Sequence, residues 1–374
     1  MGNGRPIPEF QPHRSAVVDY WLGGQRTGCV WGLDIGGANL KVACLERGSR
    51  HFHAQGQPFA LWRQPADLNI ALRALTAELP RPTQIAITMT GEIADCFPHK
   101  SAGVASIVEQ CEMAFSHLGC PLRYYAQAAN RDDGCWLTST EAKHRWSVVA
   151  AANWHAVARF WGDYLMDELS APGLIADLGS TTLDLTIVAP AQPLEPATDW
   201  QRLEQGRLVY TGARRSPLSM ILPSVHFGPQ TIPLAHELFA TILDAYLMTG
   251  LLDEDEGDCA TADGRPATRD HAAQRIAKMF CSDTAELPGE LIQQVARQAQ
   301  QQHLVHIGAA LQRSLSSQPQ VRWLLILGEG ERVVLAAHQQ IDRCNGIEVL
   351  PSSLWMGLEL SRVMPAVAVA VMAP

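Results

Sequence analysis

Two short stretches of this chain put an acid, a glycine turn and a polar residue where a phosphate and a divalent cation could be held together. The first is CVWGLDIGGANLKVACLE, from Cys29 to Glu46. An apolar run ends at Asp34, Gly36-Gly37 reverses the backbone, and Leu40 to Leu45 runs back out; this is the pattern of strand, tight turn and strand. Glycines at the turn leave backbone N–H groups uncovered, so a phosphate can approach closely. An aspartate at the strand end is placed to hold a cation beside it. The second stretch, LIADLGSTTLDLTIV from Leu174 to Val188, repeats the layout. Asp177 takes the place of Asp34, Gly179 that of Gly36 and Asp184 that of Lys41, with Ser180-Thr181-Thr182 as the turn. One such hairpin reads as ordinary structure; a pair in order indicates two related domains, and two phosphate-seeking turns suit a polyphosphate carried with its cation.

Other residues offer acid–base or anion chemistry. In QIAITMTGEIADCF, Ile85, Ile87 and Met89 alternate as a buried strand does, and the strand opens into Thr90-Gly91-Glu92 and then Asp95. Polar groups just past the carboxyl end of a strand are where α/β proteins place chemistry; the bland alternative is that Glu92 and Asp95 cap the helix expected over Ser101 to Leu118. His155 follows Asn153 and Trp154 near the start of a helix over Ala150 to Leu165, and a lone helical His is more often structural than catalytic. Tyr210-Thr211-Gly212 precedes Arg214 and Arg215, whose guanidinium groups could pair bidentately with phosphate oxygens or simply sit on an exposed loop. The acidic loop Asp253 to Asp258 fails calcium-loop spacing, its Gly falling one place early. In the polar run after it, Asp263 is a candidate cation ligand and Arg265 and Arg269 candidate anion ligands. His303 and His306 are three apart on a helix without an evident third ligand and read as structural.

The elements that must position these groups follow from the rest of the pattern. The 374 residues exceed one ordinary core and suit two domains. With 47% apolar and 18% charged residues the chain is well packed rather than disordered. A net charge of −9 argues against a broad nucleic-acid surface. Nine scattered cysteines without Cys-x-x-Cys give little support to structural zinc or a disulfide framework, and reduced thiols in the cytoplasm are the expectation. The first residues lack the apolar stretch of a signal peptide, and the run Val363 to Ala373 is too short to span a bilayer, so a buried helix or strand is expected there and no membrane association. Residues 1–28 read as an N-terminal extension, 29–149 as a first domain, and 150–374 as a second with a helical insertion at about 198–315. Within these, helices are expected over Pro65 to Leu79, Pro233 to Gly250 and Asp283 to Leu315, and strands over Arg50 to Phe59, Leu122 to Ala126 and Val321 to Leu327. The C-terminal segment is able to return to the first domain.

The paired turns resemble the phosphate-1 and phosphate-2 motifs of the actin, sugar kinase and Hsp70 ATPase superfamily. That resemblance implies an α/β fold of two ribonuclease-H-like domains around a cleft, with a mainly helical insertion in the second. Val321 to Leu327 followed by Gly328-Glu329-Gly330 resembles the nucleotide-base motif of the same superfamily, but Glu329 fills a slot where a small residue would suit close ligand approach. No Walker A and no Gly-x-Gly-x-x-Gly fingerprint occurs.

Longer runs narrow the resemblance. LDIGGANLKVA, ITMTGEIADCF, AAANWHAVA, DLGSTTLDL, GRLVYTGARRSP and TADGRPATR, in this order, are similar to the hydantoinase/oxoprolinase-like proteins linked to C1 transfer on tetrahydromethanopterin, from about Val30 to the C-terminus. The resemblance implies a synthase that joins an aminomethylfuran-methyl diphosphate to the phenol of a γ-glutamyl-tyramine or tyrosine-type acceptor, making the aryl ether of methanofuran or methylofuran and releasing diphosphate. It implies Mg²⁺ organised by Asp34 and Asp177, with Asp184 beside them. Diphosphate would be held by Gly36, Gly37, Lys41, Ser180, Thr181 and Thr182, with Arg214 and Arg215 as second choices. Glu92 or Asp95 is the expected base for the phenol, with His155 behind them. ATP is not expected to be required, the expected partners are the two small molecules, and homo-oligomerisation stays open. The rival readings are an ATP-dependent kinase of the same superfamily and a non-catalytic nucleotide-binding regulator.

Overall fold

The computed structural model describes Asp19 and residues 27–48, 51–128, 136–190, 194–341 and 346–374. The extension expected over residues 1–28 lies almost wholly outside the described residues. The main elements in chain order are β1 Cys29–Ile35, β2 Asn39–Glu46, β3 His51–Pro58, α1 Leu68–Leu75, β4 Gln84–Met89, α2 Lys100–Phe115, β5 Leu122–Tyr125, β6 Trp136–Leu137, α3 Asn153–Leu169, β7 Gly173–Leu178, β8 Leu183–Val188 and β9 Leu208–Val209. There follow β10 Ser224–Phe227, β11 Gln230–Pro233, α4 Ile242–Thr249, α5 Arg269–Lys278, α6 Gly289–Ser317, β12 Trp323–Leu327, α7 Glu331–His338, β13 Glu348–Pro351 and α8 Met364–Met372. Among the described residues no helix is long and apolar enough to cross a membrane.

The chain divides into two compact units. The first is Met1–Ser170, Ala189–Thr198 and Pro351–Pro374; the second is Ala171–Val188 and Asp199–Leu350. In the first, the sheet order is β3-β2-β1-β4-β5-β6. β1 is antiparallel to β2 and parallel to β4, and β2 is antiparallel to β3. β1 and β4 are buried along their whole length, as strands covered on both faces must be, and both read as nearly continuous apolar runs. In the second unit the order is β13-β12-β7-β8-β9. β7 is antiparallel to β8 and parallel to β12, and β8 is antiparallel to β9. Read from the other edge, this is the same arrangement of the first five strands, so the repeat seen in the two turns extends to the sheets that carry them.

The C-terminal segment does return to the first unit. α8 is a run of alanine and valine closed by methionines and buried through Val371, and it packs on β1 and β2. Gly32 makes the approach possible, because a Cβ there would overlap the Ala366 carbonyl and stand 2.8 Å from the Ala370 nitrogen. Arg47 Nη2 donates to the Ala373 carbonyl at 2.7 Å and ties down the end.

Three expected boundaries move. The first unit keeps α3, which packs on α8, so the division falls after Ser170 rather than after residue 149. No helix covers 234–241: Leu234 and Ala235 give their N–H groups to the carbonyls of Pro223 and Met279, and α4 starts only at Ile242, where Thr241 and Asp244 form a capping box. α6 starts at Gly289, because the Asp283 carboxylate accepts from Ala285 and Glu286 and Pro288 stands at the N-cap. The segment between β9 and β12 carries α4, α5 and α6 but also the β10–β11 hairpin.

Candidate functional site

In the first unit, Asp34 faces Lys41 on β2 and Thr88 on β4. It is 4% exposed, and Lys41 Nζ lies 3.5 Å from its Oδ2. The turn is closed by the Gly36 N–H donating to the Asn39 carbonyl at 3.0 Å. Thr90 donates its N–H to the Ile35 carbonyl at 2.9 Å, and Gly91 packs on the Gly36 backbone. The Thr90-Gly91-Glu92 run expected to carry chemistry is therefore fastened to the phosphate-suited turn. The Glu92 side chain is enclosed, its Oε1 3.5 Å from Lys100 Nζ. Neither Glu92 nor Asp95 caps the helix: His99 does, its side chain accepting from the Ala102 N–H. Asp95 is exposed on the loop before α2.

His155 does not fit the role of a base. It is fully buried, Nδ1 meets the Tyr125 hydroxyl at 2.8 Å and Nε2 the Leu194 carbonyl at 3.1 Å. With Nε2 against a carbonyl and Nδ1 against a hydroxyl, both ring nitrogens are already engaged within the unit.

In the second unit, Asp177 faces Asp184 on β8, with Leu327 of β12 on its other side. The turn closes as the first does, with the Gly179 N–H on the Thr182 carbonyl at 2.9 Å. Gly328 lies so close to the Asp177 carboxylate that a side chain at 328 would overlap it. Asp184 departs from expectation. Arg202 Nη1 holds its Oδ1 at 2.7 Å, and the Thr182 hydroxyl donates to Oδ2 at 3.3 Å. A carboxylate already neutralised by a buried guanidinium has little to offer a cation, so Asp184 is a structural partner of Arg202.

The 211–215 segment backs this turn. The N–H of Ala213 bonds the Gly179 carbonyl at 2.9 Å, and those of Arg214 and Arg215 bond the Ser180 carbonyl at 3.2 and 2.9 Å. The turn is thus fastened through its carbonyls. Gly212 lies against Ser180 and Thr181, where any Cβ would overlap their backbone. Arg214 is no diphosphate clamp: Glu329 holds it at 2.9 Å and Asp258 binds it as well. Burial works against its charge, but the two carboxylates outweigh burial and hold its pKa above the usual value. Arg215 is exposed at the end of the segment.

The polar run after the acidic loop also turns inward. Arg265 and Arg275 both hold Asp263, and Arg275 also holds the buried Asp244 at 2.7 Å. Arg269 bonds the Leu247 carbonyl and pairs with Glu254. Asp263, Arg265 and Arg269 are thus engaged with one another's neighbours rather than offered to an ion. His303 is buried while His306 is exposed, so the two do not share a face. Among the described residues no cluster of three or more His, Cys, Asp or Glu is placed to hold a metal. A Mg²⁺ that arrives on a phosphate needs only one or two carboxylates and keeps its waters, and each unit offers one at its turn, Asp34 and Asp177. Lys100 and Arg202 were not read as functional in the sequence. Lys100 could have been found from its place in the first turn of the helix after Glu92; nothing near Asp184 points to Arg202.

A family model described as hydantoinase/oxoprolinase matches residues 84–320. The chain is 28% identical over 341 residues to the (4-{4-[2-(γ-L-glutamylamino)ethyl]phenoxymethyl}furan-2-yl)methanamine synthase of Methanocaldococcus jannaschii, covering 91% of this chain and 96% of the relative. It is 24% identical over 212 residues to the protein of the same name from Methanococcus vannielii, covering 56% of this chain and 94% of that one. A solved nucleotide-free acetone carboxylase superposes with a TM-score of 0.54 at 11% identity, over 92% of this chain and 70% of that one. With the two mixed sheets, this gives the α/β fold of the actin, sugar kinase and Hsp70 ATPase class.

Proposed function

The chain belongs to the hydantoinase/oxoprolinase family, and from its likeness to the two archaeal synthases we propose that it is a transferase of methanofuran or methylofuran biosynthesis. In this reading it condenses an aminomethylfuran-methyl diphosphate with the phenol of a γ-glutamyl-tyramine or tyrosine-type acceptor. The phenolic oxygen bonds to the furan methylene carbon, the carbon–oxygen bond to diphosphate breaks with its electron pair leaving on diphosphate, and the phenolic proton passes to a carboxylate. The names of the two archaeal synthases support the reaction class. The single observation that carries the site is the repeated hairpin, in which Asp34 and Asp177 hold the same register and the turns close by the same hydrogen bond.

The furan oxygen stabilises positive charge on the methylene carbon, so the barrier lies in accepting the leaving charge. Lys41 and the backbone of Gly36-Gly37 are suited to bind phosphate oxygens at the first turn, and Ser180, Thr181 and Thr182 are suited to do so at the second. Mg²⁺ carried in on the diphosphate and held by the aspartate at a turn, Asp34 in the first unit or Asp177 in the second, would supply further neutralisation of that charge. Glu92 is the base for the phenol, which ordinarily titrates near 10, because it directly follows Gly91, which packs on the Gly36 backbone of the first turn. Asp95, on the exposed loop that follows, is the alternative, and E92Q and D95N separate the two. ATP has no part in this chemistry.

Mass spectrometry of the purified protein with Mg²⁺, the furan diphosphate and a tyramine- or tyrosine-bearing acceptor tests the proposal. Ether and free diphosphate are expected without ATP. ADP formation from ATP with the same phenol, and no ether from the diphosphate, would replace it with a kinase.

A further inference from the structure

His303 lies in the middle of α6, fully enclosed, with a hydrogen bond at each ring nitrogen. Nδ1 meets the Tyr246 hydroxyl of α4, and Nε2 meets Thr211 Oγ1 at 2.8 Å. The line of bonds continues from Thr211 to Ser216 Oγ at 3.0 Å, and Ser216 Oγ accepts the Gly212 N–H at 3.0 Å. Thr211 and Ser216 bracket the segment whose N–H groups at 213, 214 and 215 hold the carbonyls of Gly179 and Ser180. All of these residues belong to the second unit.

The line of donors closes in either direction, each with one ring nitrogen accepting. With the Tyr246 hydroxyl donating to Nδ1, the Nε2–H donates to Thr211, whose own hydroxyl donates to Ser216. Either order requires a neutral ring. Burial, and next the neighbouring His306, push His303 down to about 3, which favours the neutral ring near neutral pH. The segment it reaches contains Gly212, pressed on the backbone of Ser180 and Thr181. Anything that shifts Thr211 therefore shifts the turn.

We propose that His303 is a positioning residue for the second phosphate turn, acting through Thr211, Ser216 and the 211–215 segment to hold Ser180, Thr181 and Thr182 where diphosphate oxygens are bound. The proposal deepens the diphosphate reading of that turn and rests on it for its kinetic consequence, though not for its structural one. It also accounts for two of the helices between β9 and β12, since α4 and α6 carry Tyr246 and His303 to the back of the turn.

Hydrogen exchange on the full chain without ligand tests the structural part. His303→Leu removes both ring bonds; Thr211→Val, nearly isosteric, removes only the link and spares the helix. In both, peptides spanning 179–183 and 211–216 are expected to exchange about tenfold faster, while those from the centres of α6 and β7 keep their protection. His303→Gln, whose amide can donate to Thr211, is expected to restore most of the protection. In the ether-forming assay the same variants raise KM for the furan diphosphate about tenfold and change kcat far less. Unchanged exchange at 179–183 in folded Thr211→Val overturns the proposal, and so does loss of protection spread evenly through the unit. If the wild-type chain forms no ether, the functional reading falls, and the exchange comparison still decides whether His303 positions the turn.

Discussion

Lys41 and Asp34 face one another across the first hairpin, Nζ 3.5 Å from Oδ2, whereas the residues at the same two places in the second hairpin are both acids, Asp184 and Asp177. The second hairpin resolves its acid pair by giving Asp184 to Arg202. The first keeps its cation at the turn, with the lysine side chain 27% exposed and able to reach a ligand. The two hairpins are thus copies in backbone and not in charge.

Lys41→Met tests which charge matters for turnover. Removing one preorganised donor to a leaving diphosphate is expected to lower kcat about a hundredfold. Lys41 is partly exposed but Asp34 is nearly enclosed, so taking the cation from that carboxylate should cost about 1–3 kcal/mol of stability. Steady-state kinetics beside thermal unfolding separates the two. A variant with near-normal kcat would remove Lys41 from the site.

Gly212→Ala probes the close approach of the 211–215 segment. Its Cβ would overlap backbone atoms that cannot rotate away, so the segment must lift from the turn. Overpacking of this kind costs about 1–3 kcal/mol. In a protein of this size a lower melting temperature should accompany a larger loss of activity. Equal activity and stability would show the segment to be free to move.

Much of this was legible in the chain itself. The Asp34-to-Lys41 and Asp177-to-Asp184 intervals match residue for residue, and the observed registers pair those residues directly. The small, apolar C-terminal run could only be a buried element. What could not be read were partners far apart in sequence. Arg214 and Glu329 meet across 115 positions, so the adjacent arginines looked available for phosphate when one was already taken. The helix expected from Pro233 failed for a related reason. The spacing of apolar residues over 234–241 imitates a helix, but the N–H groups of Leu234 and Ala235 are drawn to Pro223 and Met279, a tertiary contest that periodicity does not register.

The acid dependence of stability carries the mark of His303. Its folded pKa, about 3, lies below the ordinary 6.5, so between those values the unfolded chain holds a proton that the folded one does not. Stability from this group is complete above pH 6.5 and falls as pH drops toward 3, by at most about 1.4 kcal/mol per pH unit. Asp244 works the other way. Burial lifts it to about 6 against the pull of Arg275, so its contribution is full below about pH 4 and is lost as pH rises through 6. The two oppose one another between pH 4 and 6, and only His303→Gln removes the first alone. Urea unfolding of both proteins should show the wild type losing about 2 kcal/mol relative to the variant between pH 7.5 and 5. A constant difference would mean that folding does not hold the ring neutral.

Magnesium dependence should sort the three aspartates of the hairpins. Asp184 spends its charge on Arg202, which is 2% exposed, and Asp184→Asn strands a buried guanidinium at a cost of about 3 kcal/mol. Its melting temperature should fall while the Mg²⁺ concentration for half-maximal turnover stays put. Asp34→Asn and Asp177→Asn should do the reverse, because these two acids lie on the strands that lead into the turns, two residues before Gly36 and Gly179: turnover drops about a hundredfold or more and the Mg²⁺ requirement rises. Turnover against Mg²⁺ concentration, with thermal unfolding of the same three variants, makes the comparison. If Asp184→Asn shifts the Mg²⁺ requirement as far as Asp34→Asn does, Arg202 must yield its partner during the reaction, and the second hairpin would be bringing both of its acids to the ion.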